Sequence, residues 1–296
     1  MDRSAFLKKG LLGTGMLVAA SAAGKILQNS IDELHPLKPQ LADPNIGFNH
    51  LPINTDTMED HFVLHEAASR GVADHGWLKS RHTFSFAQYY NPERMHFGVL
   101  RVLNDDHILG GTGFGTHPHD NMEIVSIPLE GSLKHKDSMG NTAIIAEGDI
   151  QVMSAGTGIQ HSEFNNNQNA DCRFLQIWIF PNKKNVEPRY DQLTLKREER
   201  HNQWQQILSP NADDAGVWIH QDAWFHLTEM DQDQTLTYSL KKPGNGVYFF
   251  LLDGEVKING KEMKSRDGLG AWNRDQFEVS AHKPAQLLVM EVPMGL

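Results

Sequence analysis

His117-Pro118-His119 sets two imidazoles two residues apart, and in an extended strand residues i and i+2 project from one face. A second pair with that spacing, His161 and Glu163, begins 42 residues beyond His119. Three imidazoles and one carboxylate suit a single divalent transition ion. Such a set leaves one or two coordination positions open, which describes a reactive site rather than a closed structural one. Glu123 also falls on the face of His117 and His119, and it stands as an alternative carboxylate, either as a ligand or as an acceptor that orients a ligand imidazole. Cys172 is the only cysteine, so an internal disulfide framework and any multi-cysteine zinc or iron–sulfur site are excluded, whereas 16 histidines supply nitrogen donors freely.

Donors on one face need strands to carry them, and from residue 60 onward short β-type runs are punctuated by Gly, Asn and Asp. Runs such as Phe97 to Leu103, Glu123 to Leu129, Phe174 to Phe180, Val247 to Leu252 and Gln286 to Val292 predict an all-β protein. Several are apolar on both faces, as strands between two packed layers are. An internal repeat divides the chain. The run Ile124 to Lys134 matches Val247 to Lys257 in pattern at an offset of 123 residues, an apolar strand, an acidic-Gly turn and a second strand. Carried over by that offset, His117 and His119 land on Leu240 and Lys242. An offset of 120, taken from the later glycines, carries His161 to Ala281. The second unit therefore lacks the ligand set, and His220, His226 and His282 are expected to be surface or hydrogen-bonded core histidines.

The expected organisation is a signal-like segment at 1–24, a tether at 25–58, a metal-binding barrel at 59–182, a linker region at 183–210 and a barrel without metal ligands at 211–296. Arg3, Lys8 and Lys9 precede a mild apolar run from Gly10 to Gly24 that ends in Ala20, Ser21, Ala22 and Ala23, the pattern of an export signal. An amphipathic N-terminal helix fits the same residues, and the run is too short to span a membrane. Acidic residues outnumber basic ones by 37 to 27, a formal charge of −10, which argues against nucleic acid as a direct partner. Apolar content of 39% and charged content of 22% suit a globular fold.

Gly111, five residues on His117-x-His119 and then Glu123 resemble the first cupin motif, and Gly148 through Ser154-Ala-Gly156 to His161 and Asn165 resemble the second. Ser154 replaces the usual proline, and the gap from Gly156 to His161 is long. With Gly76-Trp77, Arg81-His-Thr-Phe-Ser-Phe86, Tyr89-Tyr90-Asn91-Pro92, His135-x-Asp137-Ser138-x-Gly140-Asn141 and Ala155 to Glu163, these motifs resemble the pirin family from about residue 62 to 292. The resemblance implies two tandem jelly-roll-like cupin barrels. It implies one metal, usually iron, in the first, on His117, His119, His161 and Glu163, with Glu163 favoured over Glu123. Copper, nickel, manganese or zinc suit the same donors.

Family members are described as quercetin 2,3-dioxygenases or as partners of transcription regulators. The resemblance thus implies either an oxidoreductase acting on a flavonol or related polyphenol with O2, with Glu163 as a catalytic group, or a redox-responsive binding module without turnover. The export-like N-terminus favours the enzyme, since an exported, periplasmic chain cannot reach a transcription regulator. A chain that keeps the segment unused would stay cytoplasmic. A monomer is expected.

Overall fold

The computed structural model describes residues 61–295. The signal-like segment and the tether lie outside the described residues. The strands form two stacks, each of one seven-stranded and one four-stranded sheet. In the first, the large sheet runs, in order of pairing, Arg189–Thr194, Asp149–Ser154, Glu123–Glu130, Cys172–Ile179, Leu100–Ile108, Leu78–His82 and Gly71–Asp74. Its small sheet runs Gly113–His119, Ile159–Asn165, Ser132–Asp137 and Thr142–Ala146. The second stack repeats the plan, with Thr235–Ser239, Gln276–Ala281, Glu255–Ile258 and Lys261–Lys264 as its small sheet. The described residues form an all-β fold of two barrels on one plan, and among them no helix is long and apolar enough to cross a membrane.

Runs that are apolar on both faces arise because each large sheet is covered twice. From the strand Asn245–Asp253, Val247, Phe249 and Leu251 enter the core of the second barrel. Tyr248, Phe250 and Leu252 point the other way and join Val125, Ile127, Leu175 and Ile177 of the first barrel in a common core. The two barrels therefore pack back to back through their large sheets, and period-2 alternation within one strand serves two different cores.

Two strands cross the divisions read from the sequence. His61–His65, inside the span 59–182, pairs antiparallel with Gly268–Trp272 in the sheet of the second barrel. Arg189–Thr194, inside the expected linker, pairs with Asp149–Ser154 of the first. Its polar composition hid a strand because its partners are polar too: Thr194 Oγ1 donates to Asp149 Oδ1 and Gln192 Nε2 to Asp149 Oδ2. The acidic-Gly turns of the repeat are real turns, with Gly131 and Gly254 at φ of +78° and +98°, where a side chain is strained.

Strand register replaces the offset as the guide to equivalent positions. Leu133 pairs with Asn165 in the first barrel and Val256 with Ala281 in the second, each two residues past the repeated glycine. Ala281 is thus the counterpart of Asn165, and Phe277 is the counterpart of His161. Since His161 pairs with His117 and Phe277 with Tyr238, the counterparts of His117 and His119 are Tyr238 and Leu240. A constant offset fails because loop lengths differ between the repeats while strand pairing does not. Tyr238, Phe277 and Val279, the last matching Glu163, are buried in the second core with Leu240 packed against them.

His226 belongs to this second core, 2% exposed, with Nδ1 3.3 Å from the Tyr238 hydroxyl, which itself donates to Glu291. Burial, with Lys241 nearby, lowers its pKa to about 3. Because this folded value lies below the unfolded one, falling pH favours the unfolded chain, and the ring's contribution to stability declines from about pH 6.5 downward. The stability deficit of His226→Gln relative to wild type should therefore shrink on acidification, by up to about 1.4 kcal/mol per pH unit. Urea unfolding at several pH values reads this directly, and a constant deficit would show that the ring titrates normally.

Candidate metal centre

His117 and His119 stand on Gly113–His119, an edge strand of the small sheet, which tolerates Pro118 between them because no ladder bond is needed on the open side. The neighbouring strand Ile159–Asn165 sets His161 directly opposite His117 and Ile159 opposite His119. The three rings converge: centroids lie 4.8 Å apart for His117 and His119, 4.4 Å for His117 and His161, and 4.9 Å for His119 and His161. One ring nitrogen from each lies within 4.8 Å of the others.

The state of these nitrogens is what an ion requires. His161 is 2% exposed, and neither of its ring nitrogens has a hydrogen-bond partner. A buried polar atom left bare costs about 1–3 kcal/mol, so two on one ring call for a partner of another kind. Burial and the neighbouring imidazoles push His161 down to about 2, and burial with His117 pushes His119 down to about 3. Both rings are therefore neutral and keep a lone pair. His117 Nδ1 lies 2.8 Å from the Gly115 carbonyl, which only accepts, so Nδ1 carries the proton and Nε2 is left to donate its lone pair. Two neutral imidazoles, His119 and His161, with the free Nε2 of His117 beside them, fit one divalent transition ion.

Glu163 is placed differently from the expectation of one four-donor group. The pairing between the two strands slips between His161 and Glu163, so Glu163 lies opposite Phe114. Its carboxylate gathers with His161 and His135, whose donor atoms lie within 4.8 Å of one another, while His117 and His119 gather with His161 alone. Its two oxygens are braced from the large sheet: Ser126 Oγ donates to Oε1 at 3.0 Å and Gln176 Nε2 to Oε2 at 2.7 Å. Both braces belong to one transverse row of paired residues, Gln192, Gln151, Ser126, Gln176, Asn104 and His82, a polar stripe across the large sheet.

Glu123 joins neither group. It lies on Glu123–Glu130 of the large sheet, not beside the two histidines, and accepts a hydrogen bond from Ser154 Oγ at 2.7 Å. Burial raises its pKa to about 7. Ser154, which departs from the cupin pattern, is thus the partner of the carboxylate that departs from the site. Cys172 is buried, and burial pushes its thiol up to about 12, which suits a small core residue rather than a nucleophile.

His135 is the residue that sequence reasoning undervalued. It is 0% exposed, its ring lies 5.4 Å from that of His161 and 4.8 Å from that of Tyr190, and its Nε2 is 3.2 Å from Asp137 Oδ2. Burial opposes ionisation of Asp137, but hydrogen bonds from Asn141 and His135 hold its carboxyl below the usual range. The signal was present as a second His-x-acid pair with i, i+2 spacing. Trp178 meets His119 edge-on at 4.9 Å and Phe86 at 5.3 Å, and Ile124, Met153, Ala155 and Ile159 form an apolar cluster against it.

Gly156 closes the turn into the ligand strand. At φ +49°, a Cβ there would stand 2.1 Å from the Val186 carbonyl oxygen, so no side chain fits.

Residues 64–179 match the family model described as Pirin, and residues 206–292 match one described as Quercetinase C-terminal cupin domain. Over 230 residues the chain is 41% identical to a quercetin 2,3-dioxygenase of Escherichia coli (strain K12), covering 78% of this chain and 98% of that one. A pirin-like protein of Caulobacter vibrioides is 38% identical over 222 residues, 75% of this chain and 95% of its own. Among solved structures, the Escherichia coli pirin YhhW in complex with nickel(II) superposes with a TM-score of 0.75 at 39% identity, covering 79% of this chain and 99% of that one.

Proposed function

The chain belongs to the pirin family, and from that premise we propose that it is a metal-dependent oxidoreductase, a dioxygenase of the quercetin 2,3-dioxygenase type acting on a flavonol or related polyphenol. The observation that carries the reading is the convergence of His117 and His119 on a buried His161 whose two nitrogens are unpartnered, with the Glu163 carboxylate alongside. Relatives named for this activity, and a nickel-bound relative, support it.

His117, His119 and His161 would hold the ion, and Glu163 would join them as a fourth ligand only through a shift of its side chain away from His135. A divalent ion there would supply Lewis acidity that lowers the pKa of a flavonol hydroxyl. Glu163 accepts the hydroxyl proton at its carboxylate, and Ser126 and Gln176 hold that carboxylate in place while it does so. Trp178, Phe86 and Ile124 form an apolar wall that excludes water and orients a planar ring. Iron is the favoured ion on the family resemblance, and nickel has a precedent in the related structure.

The test is O2 consumption with quercetin by protein loaded separately with Fe(II), Cu(II), Ni(II) or Mn(II). At least one sample should consume O2 in proportion to flavonol lost. Samples that each hold one tight ion and consume none with any flavonol or catechol overturn the activity. Export belongs to the same proposal and rests on Arg3, Lys8, Lys9 and the apolar run before Gly24. N-terminal sequencing of fractionated protein should find a start near residue 23 or 24, and an uncleaved cytosolic chain would contradict it.

A further inference from the structure

We propose that His135, His161 and Glu163 form a second seat for the divalent transition ion, more deeply buried than the three-histidine group and alternative to it. The proposal rests on the reading of this barrel as a metal centre and is independent of the dioxygenase activity. The donor atoms of the three residues lie within 4.8 Å of one another. Two bonds of about 2.0–2.2 Å span most of that separation, so a slight inward movement of side chains closes an ion into the group.

Each donor is prepared for the task. Asp137 stands behind His135 Nε2 at 3.2 Å, and its carboxylate oxygens already accept from the backbone N–H groups of Met139 and Asn141 and from the Asn141 side chain, so it meets the ring as an acceptor. In a neutral ring Nε2 then carries the proton, and the lone pair is left to Nδ1, which is buried and has no hydrogen-bond partner. A carboxylate behind an imidazole in this way is the usual support of a metal-ligating histidine. On the other side, Ser126 and Gln176 brace Glu163 and leave it further lone pairs. Two imidazoles and one carboxylate form a donor set suited to Fe(II) with positions left open.

His161 decides that the seats are alternatives. A neutral imidazole has one lone pair, on whichever nitrogen lacks the proton, and two ions at once would require the ring to lose its remaining proton. Both nitrogens are bare and buried, so either tautomer is available without breaking a hydrogen bond. In the mouth seat the partners are the half-buried His117 and His119. In the deep seat they are the fully enclosed His135 and Glu163.

The experiment uses the full chain and Ni(II) as the probe, with equilibrium dialysis and elemental analysis for affinity and X-ray absorption for the number of imidazoles on the ion. His117→Ala/His119→Ala dismantles the mouth seat only. It should retain one Ni(II) per chain, more weakly than wild type, with two imidazoles bound. Adding His135→Gln, which keeps volume and polarity in a buried place, should weaken that residual ion at least about tenfold, and Asp137→Asn in the same background should weaken it about 10–100-fold. A double variant that binds no Ni(II), or whose ion is indifferent to both His135→Gln and Asp137→Asn, overturns the deep seat while leaving the mouth seat standing. Wild-type protein that binds no ion overturns the metal centre itself, so the two failures are told apart.

Discussion

His161→Ala is expected to strip the protein of tightly held metal and of turnover together, while both barrels stay folded. His161 is the donor common to the group with His117 and His119 and to the group with His135 and Glu163, so no alternative set survives its loss. Occupancy should fall below about one tenth of wild type, because a removed ligand costs more than the 10–100-fold typical of a lost support. The effect on the fold should be small and of either sign, within about 1–2 kcal/mol, since the cavity left behind is offset by removing two bare nitrogens from the interior. The cores that hold the barrels are apolar and lie elsewhere. Elemental analysis beside thermal unfolding checks both halves. Retention of one tight ion would show that His161 is no ligand, and collapse of the whole chain would make the metal structural.

Glu163→Gln is the second large effect, and its signature is a split. Turnover should drop by about 10²–10⁴, the range of a lost general base, while metal content falls less than about tenfold. The amide is isosteric, and its oxygen still accepts from Ser126 or Gln176 once one amide reorients, so the strand keeps its place. The decisive comparison is O2 uptake per bound ion rather than per chain. Unchanged uptake per ion would remove the proton-accepting role and leave Glu163 as a ligand alone. A parallel loss of ion and turnover would make it chiefly a ligand.

Much of this protein was legible in one dimension. Alternation with period 2, glycines where the chain must turn, and apolar runs on both faces fix short strands between layers, because each is a property of a few neighbouring residues. The same holds for His117 and His119: i, i+2 spacing puts both on one face before any pairing is known, whereas His161 comes opposite His117 only through strand pairing. The repeat in Ile124 to Lys134 and Val247 to Lys257 announced two barrels for the same local reason.

What lies across from a given face was not written locally. Glu123 and Glu163 carry the same side chain at comparable spacing from a histidine, yet pairing gives one to Ser154 and delivers the other to His161 and His135. The polar strand Arg189–Thr194 looked like a linker until Asp149 met it, and His61–His65 left its own barrel for its neighbour. Ser126 and Gln176, 50 residues apart, became one brace only when their strands lay side by side. Sequence spacing determines the direction of a side chain, but its partner is set by the register of a distant strand, and that register answers to the burial of the whole sheet.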